Sequence, residues 1–103
     1  MTHNYEEKEL FYPHGIVMYR GGVKKNVSSY DIYDGMGTIF DQEGELLFEG
    51  EFVNHMKQGN GFMYLKGQII YQGEFIQNKK QGNGILYKDG TTVLFSTKAT
   101  CFV

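Results

Sequence analysis

Glycine recurs in this chain at a nearly constant interval. One series returns at every twenty-third position: Gly21, Gly44, Gly67 and Gly90. A second series runs beside it with almost the same interval: Gly15, Gly37, Gly61 and Gly84. A period of this length indicates one short supersecondary unit repeated along the chain. We therefore expect a quasi-linear array, which presents surface and seldom builds a catalytic pocket.

The composition bounds the class of protein. The chain of 103 residues is one small domain, and 41% hydrophobic residues without Trp predict a thin core. The single cysteine, Cys101, excludes an internal disulfide framework and fits a reducing compartment. No apolar run approaches the length of about 18–20 residues that a membrane span needs, and the start lacks a signal peptide's regions. We expect a soluble, intracellular protein.

The charges are unevenly distributed along the chain. Residues 1–53 hold ten acids and four bases (4 − 10, net −6), whereas residues 54–103 hold six bases and two acids (6 − 2, net +4). This polarity could orient the chain against a charged partner, or it is ordinary surface charge that happens to cluster. We expect neither a cofactor nor a nucleic-acid partner.

The clearest repeat unit is a strand, a polar connection and a second strand. It reads Phe48-Glu-Gly-Glu-Phe52, six residues, Gly59-Asn-Gly61, and it recurs from Tyr71 to Gly84. The segments are short runs of β-forming residues that end at glycine, which is typical of an antiparallel meander. Two tight hairpin turns are predicted, at Lys66-Gly67 and Asp89-Gly90, and two polar loops, at residues 54–58 and 77–81.

A two-residue turn at Lys66-Gly67 sets the predicted faces of the sheet. Strict alternation puts one aromatic set together: Phe62, Tyr64, Tyr71, Phe75 and Tyr87. Gly50 and Gly73 lie between aromatic residues on that same predicted face. A strand glycine is typical of a place where another group approaches the backbone. We expect an aromatic ring from a neighbouring strand over each of these two glycines.

The repeated pattern resembles the MORN (membrane occupation and recognition nexus) repeat. Residues 48–61 and 71–84 share its aromatic-x-Gly-Glu-aromatic strand and its Gly-x-Gly end, and the likeness extends over residues 35–95. Phe52 and Phe75 stand where the family usually has Trp, while His55 and Asn78 replace a turn glycine. Residues 26–29 keep nothing of the aromatic strand that the pattern would place there, so the first unit is degenerate.

The resemblance implies an all-β protein built as a single-layer antiparallel meander of stacked hairpins, elongated and twisted. We expect about four repeats over residues 13–95, with residues 1–12 as a cap or tail and residues 96–103 as the last strand's end or a tail. Family members serve mainly as scaffold or docking modules in cytoskeletal, ciliary or membrane-associated assemblies. Binding of acidic phospholipid is attributed to some of them.

Two repeated features invite a chemical interpretation. The Gly-x-Gly segments at Gly35, Gly59 and Gly82 lack the following helix that a phosphate loop requires. We therefore interpret them as structural glycines of the repeat. Glu51 and Glu74 recur at one position, and either bond a neighbouring turn or form a carboxylate pair for acid–base chemistry. The first interpretation fits residues repeated on adjoining hairpins.

Isolated residues carry little chemistry. His3, His14, His55 and Cys101 lack the spacing of metal ligands or of a nucleophile and its base, so we expect no metal site and no catalytic residue. Loop lysines are either solvated or touch an anionic lipid surface: Lys57, Lys79 and Lys80.

The aromatic face is the strongest candidate for a binding site. A single-layer sheet cannot cover both of its faces, so some aromatic residues contact a partner or pack among themselves. The candidate partner-binding residues are Phe48, Phe52, Phe62, Tyr64, Tyr71, Phe75 and Tyr87. We expect a non-enzymatic protein-interaction module, a small subunit of a larger assembly that docks a partner segment. The alternatives are peripheral binding to acidic phospholipid and an enzyme or inhibitor, and edge-strand pairing of two copies is left open.

Overall fold

A computed structural model of the protein describes residues 5–25, 27–88 and 92–96. These residues form eight strands and no helix: β1 (Tyr5–Phe11), β2 (Val17–Lys25), β3 (Asp31–Phe40), β4 (Leu46–Val53), β5 (Met56–Leu65), β6 (Gln68–Ile76), β7 (Lys79–Lys88) and β8 (Thr92–Ser96). Each strand pairs antiparallel with the next in one sheet, which confirms the single-layer meander. The molecule measures 43 × 31 × 19 Å.

Tight turns join the strands of the repeated region. The predicted turn at Lys66-Gly67 is present, and both residues have positive φ (50° and 79°), as a type I′ turn requires. The polar loops predicted at residues 54–58 and 77–81 are shorter than expected, because only two residues separate the strands in each. His55 and Asn78 adopt left-handed φ of 72° in these two turns. The turn predicted at Asp89-Gly90 lies outside the described residues.

A β-bulge changes the predicted faces. Tyr64 pairs with Ile69, but Met63 pairs with Tyr71 because β6 carries one extra residue at this point. The slip moves Phe62 and Tyr64 to the side opposite Tyr71, so the expectation that these aromatic residues share a face is wrong. Tyr87 also lies opposite Tyr71, because its neighbour Leu86 is the residue that pairs with Tyr71.

One face of the sheet forms the core, and we call it the ring face. Its buried side chains are 0–2% exposed: Tyr19, Val23, Phe48, Phe52, Tyr71 and Phe75. Their rings meet edge to face in a continuous series, from Tyr19 to Phe52 (5.6 Å between centroids), Phe48 (5.3 Å), Phe75 (5.2 Å) and Tyr71 (5.3 Å). Because such pairs add about 0.5–1.5 kcal/mol each beyond area burial, the series stabilises a sheet that has no second layer in the described residues.

Glycine lets these rings lie flat against the sheet. The Phe48 ring crosses Gly61 of the adjacent β5, where an added Cβ would stand 2.6 Å from ring atoms Cε1 and Cζ. Tyr71 covers Gly84 of β7 in the same way. The prediction for Gly50 and Gly73 is wrong in one respect, since the ring beside each comes from its own strand, from Phe48 and Tyr71.

The first unit is displaced in sequence but keeps the arrangement. Tyr19 lies over Gly37, and Gly21 pairs with Gly37 as Gly50 pairs with Gly61. The ring strand of this unit is therefore Tyr19–Val23, and not the segment 26–29 that the period suggested. The step from Tyr19 to Phe48 is longer than the step from Phe48 to Tyr71. Additional residues therefore lengthen the first unit.

Neighbouring units are joined by a repeated set of hydrogen bonds at their turns. The Asn78 amide donates to the Lys57 carbonyl (3.0 Å), and the Lys57 amide donates to Asn78 Oδ1 (2.9 Å). One unit earlier, the His55 amide donates to the Tyr33 carbonyl (2.8 Å), while the Tyr33 amide donates to His55 Nδ1 (3.1 Å). Each turn thus binds the start of a strand in the preceding unit.

Candidate interaction surface

The ring face does not offer its aromatic side chains to a partner. Four of the seven predicted partner-binding residues are 0–2% exposed: Phe48, Phe52, Tyr71 and Phe75. They pack among themselves, which was the other interpretation of the aromatic residues. The remaining three predicted residues, Phe62, Tyr64 and Tyr87, lie on the opposite side of the sheet, which we call the open face.

The open face carries accessible apolar side chains above the central strands. Met36 on β3 is 62% exposed and Phe62 on β5 is 37% exposed. Both line a groove of about 400 Å³ together with Glu49, Glu51 and Asn60. A second groove of about 260 Å³ continues from Phe62 to Ile85 on β7. The two grooves share Phe62 and Asn60, so they form one track across the strands.

Polar side chains that border this track accept hydrogen bonds from tyrosine. Glu49 accepts a hydrogen bond from the Tyr64 hydroxyl (2.8 Å), and Gln72 accepts one from Tyr87 (3.1 Å) one unit later. Burial of Tyr64, together with this bond to Glu49, raises the pKa of the phenol. The aromatic residues of the open face therefore hold polar neighbours in place.

Glu51 and Glu74 show why the carboxylate recurs. The Oε1 atom of Glu51 occupies the space that a Cβ on Gly59 would need, and Glu74 does the same at Gly82. Both glycines have left-handed φ, of 76° and 73°. Each carboxylate thus packs against the bulged start of the next strand, and each remains accessible on the open face. The predicted bond to a neighbouring turn stays a prediction.

The three candidate lipid-binding lysines do not form one patch. The Lys57 ammonium lies over the Phe48 ring (5.2 Å to the centroid) and the Lys80 ammonium over Tyr71 (5.8 Å), both on the ring face. Burial, with a smaller contribution from the nearby Lys80 charge, lowers the pKa of Lys57. Lys79 is exposed and, as the strand neighbour of Lys80, points to the other side.

The described histidines contact the backbone of neighbouring segments. His55 accepts the Tyr33 amide, and His14 Nε2 lies 2.8 Å from the Gln42 carbonyl oxygen. His3 and Cys101 lie outside the described residues. Within the described ranges, no group of three or more His, Cys, Asp or Glu side chains could hold a metal ion. The same ranges contain no helix with the length and apolarity of a membrane span.

Sequence reasoning did not identify Met36 and Ile85 as members of the site. The available signal was a count of positions: Leu65 lies four positions after Gly61, whereas Gly73 lies five after Gln68. Pairing the two glycines across the hairpin therefore requires one extra residue in β6. That bulge places Phe62 in line with Ile85 through Gln72, while the pairing of Gly37, Gly50 and Gly61 on β3, β4 and β5 puts Phe62 on the same side as Met36.

Two segments of the chain match a known protein family. Residues 48–67 and 71–92 match the family model of the MORN repeat, as the glycine and aromatic pattern predicted. No curated protein matches the chain. MORN repeats are generally non-catalytic units that mediate interaction with proteins or membranes, and the two matched segments contain the strands that carry Phe62 and Ile85.

Proposed function

We propose that this MORN-repeat chain is a non-enzymatic interaction module that docks a segment of a protein partner on its open face. In this proposal it acts as a small subunit of a larger intracellular assembly, in the cytoskeletal, ciliary or membrane-associated settings that the family resemblance implies. The observation that carries the proposal is the exposure of Met36 and Phe62 beside a groove of about 400 Å³.

The shape of the molecule favours a docking role on this face. The ring face uses its aromatic side chains to hold the sheet together, so its rings are not accessible to a partner. The open face keeps Met36 on β3 and Phe62 on β5 exposed, and the half-buried Ile85 on β7 lines the groove beside Phe62. Contiguous apolar surface with a polar border is typical of an interaction site.

The contact residues in this proposal are partly those expected from the sequence. Phe62, Tyr64 and Tyr87 remain candidates for partner contact, with Met36 and Ile85 added beside them. Tyr64 and Tyr87 contribute rings anchored by hydrogen bonds to Glu49 and Gln72, so they lose little conformational freedom on binding. The buried aromatic residues of the ring face act indirectly, because their ring contacts hold the strands of the sheet together.

Affinity purification at native expression level tests the proposal. We expect the wild-type chain to enrich a reproducible set of partners and the Met36→Ser/Phe62→Ser double variant to lose them. Phe11→Ser/Leu65→Ser is the matched control, because these two side chains are also exposed (53% and 55%) but lie away from the open-face grooves. Thermal unfolding shows that all three proteins are folded.

Two results would contradict docking on the open face. One is equal enrichment by wild type and the Met36→Ser/Phe62→Ser variant. The other is salt-sensitive binding to phosphatidylserine vesicles that falls when Lys57, Lys79 and Lys80 become Gln but not in Lys66→Gln, with no partner enriched. That second result would support the lipid alternative instead.

A further inference from the structure

We propose that the partner segment is a basic amphipathic helix that lies across the strands of the open face. This inference rests on the proposed docking function and specifies its partner. Its apolar side chains contact Met36, Phe62 and Ile85, and its lysine or arginine side chains meet Glu51 and Glu74.

The charge of the open face favours a basic partner. Its central carboxylates are Glu49, Glu51 and Glu74, and none of them forms an ion pair with a described residue of the chain. Basic side chains stand at the margins. Arg20 is paired with Glu9 (2.9 Å) and lies over the Phe40 ring, while Lys79 is at the start of β7.

The contacts alternate from strand to strand. Met36 on β3 pairs with Glu51 on β4, and Asn60, two residues before Phe62 on β5, pairs with Glu74 on β6. Ile85 follows on β7, paired with Gln72. Because adjacent strands are about 4.8 Å apart, Met36, Phe62 and Ile85 on alternate strands recur every ~9.6 Å across the sheet. Acids lie on the strands between them, with Glu51 directly opposite Met36 and Glu74 diagonal to Phe62.

This spacing fits a helix better than an extended segment. A helix rises about 1.5 Å per residue, so every seventh residue falls ~10.5 Å along the axis on the same face, and residues three or four later fall ~4.5–6 Å on. An extended chain covers ~10 Å in three residues, which turns the third side chain to the opposite face. A helix crossing the strands can therefore place apolar residues at heptad spacing and bases at i+3 or i+4.

The carboxylates are held in place before a partner arrives. Glu51 and Glu74 pack against Gly59 and Gly82, and Glu49 accepts the Tyr64 hydroxyl. Such fixed side chains lose less rotamer entropy on binding than freely moving ones. The ion pairs then form at the border of an apolar groove, where water screens them less than on a flat surface.

The test uses a defined probe with the full chain. The probe is a capped helical peptide of leucine and lysine, about 18 residues and about 27 Å long, and its counterpart has glutamate in place of lysine. We expect the lysine peptide to shift the amide NMR signals of residues 36, 51, 62 and 74, and the glutamate peptide to leave them unchanged. The affinity should fall as ionic strength rises.

Glutamate-to-glutamine variants distinguish the effect of the open-face carboxylates from the effect of the protein's net charge. Glu51→Gln/Glu74→Gln should bind the lysine peptide about tenfold more weakly, because two partly shielded ion pairs are lost. The matched control is Glu43→Gln/Glu45→Gln, which removes the same charge from the exposed β3–β4 turn and should bind like wild type. Thermal unfolding verifies that both variants are folded.

Three outcomes would overturn the inference. They are equal weakening by the two double variants, amide shifts confined to residues 41–45, and equal binding of the lysine and glutamate peptides. Each of these outcomes leaves the proposed docking function intact if Met36→Ser/Phe62→Ser still abolishes partner enrichment. If one of these outcomes is found and Met36→Ser/Phe62→Ser also leaves partner enrichment unchanged, the open face is not a binding surface.

Discussion

The ring that crosses a bare glycine gives the most direct test of the fold. In Gly61→Ala, the new Cβ would stand 2.6 Å from the Phe48 ring, closer than side-chain atoms pack. Phe48 is 2% exposed and contacts Phe52 and Phe75 edge to face, so its ring cannot move without losing those contacts.

The expected cost follows from three effects. Overpacking of a filled core costs about 1–3 kcal/mol, and weakened ring pairs cost about 0.5–1.5 kcal/mol each. Replacing glycine restricts the unfolded chain, which returns about 0.4–1 kcal/mol. Gly61 does not have left-handed φ, so backbone strain adds nothing. We expect a net loss of about 2–3 kcal/mol in the free energy of unfolding.

Urea unfolding measures this loss. With a slope of about 1–1.5 kcal/mol per molar urea, the midpoint should fall by about 2 M. Phe48→Leu supplies the second arm of a double-mutant cycle, since a smaller side chain leaves room for the new methyl group. In that background Gly61→Ala should cost about 1 kcal/mol or less, a coupling of about 1–2 kcal/mol. An unchanged or higher midpoint for Gly61→Ala alone would refute the ring-over-glycine packing.

Two further perturbations test the links between units and the burial of the rings. Asn78→Ala should lower the free energy of unfolding by about 2 kcal/mol, because it removes the acceptor for the Lys57 amide. It also places alanine, which tolerates the left-handed region less well than asparagine, at φ 72°. Asn78→His, the residue of the equivalent turn, should cost less than half as much in urea unfolding, and equal costs would contradict the hydrogen-bond account. Burial raises the pKa of the Tyr71 phenol above its ordinary value, so the unfolded phenol ionises first and the free energy of unfolding should fall as pH rises through about 10. Tyr71→Phe should make that fall shallower, and an unchanged slope would mean that the Tyr71 phenol titrates alike in both states.

Local chemistry made the hairpins predictable from the sequence. Lys66-Gly67 forms the expected turn, in which both residues have left-handed φ. Glycine favours this conformation, so residues 65–68 alone are enough to predict the turn. The glycine period likewise predicted the repeated strands that contain Phe48 and Tyr71. These features depend on contacts within one hairpin.

The faces of the sheet were harder to predict because they depend on contacts between hairpins. Phe62 lies on the side opposite Tyr71 because Gly61 pairs with Gly73, which forces the bulge at Ile70, and because the Phe48 ring crosses Gly61 on the ring face. Strict alternation from the turn overlooks that demand. The same dependence hid Met36, whose exposure becomes clear only when the ring face is assigned.

The first unit shows a different limit. Its ring strand, Tyr19–Val23, has glycine at residue 22 and valine at residue 23 where later units have glutamate and phenylalanine. The additional residues between Val23 and Gly35 break the period, so alignment by spacing placed the strand too late. Alignment by the aromatic-x-Gly pair would have found it.

The bonds between each turn and the preceding strand have an evolutionary consequence. Asn78 and His55 make the same two hydrogen bonds to the preceding unit, and each described strand pairs only with its sequence neighbours. Duplicating the stretch that encodes one unit would therefore recreate every junction already in use, without inventing a new one. Descendants of such a gene can lengthen or shorten their reach in whole steps, while the chemistry at each step diverges separately.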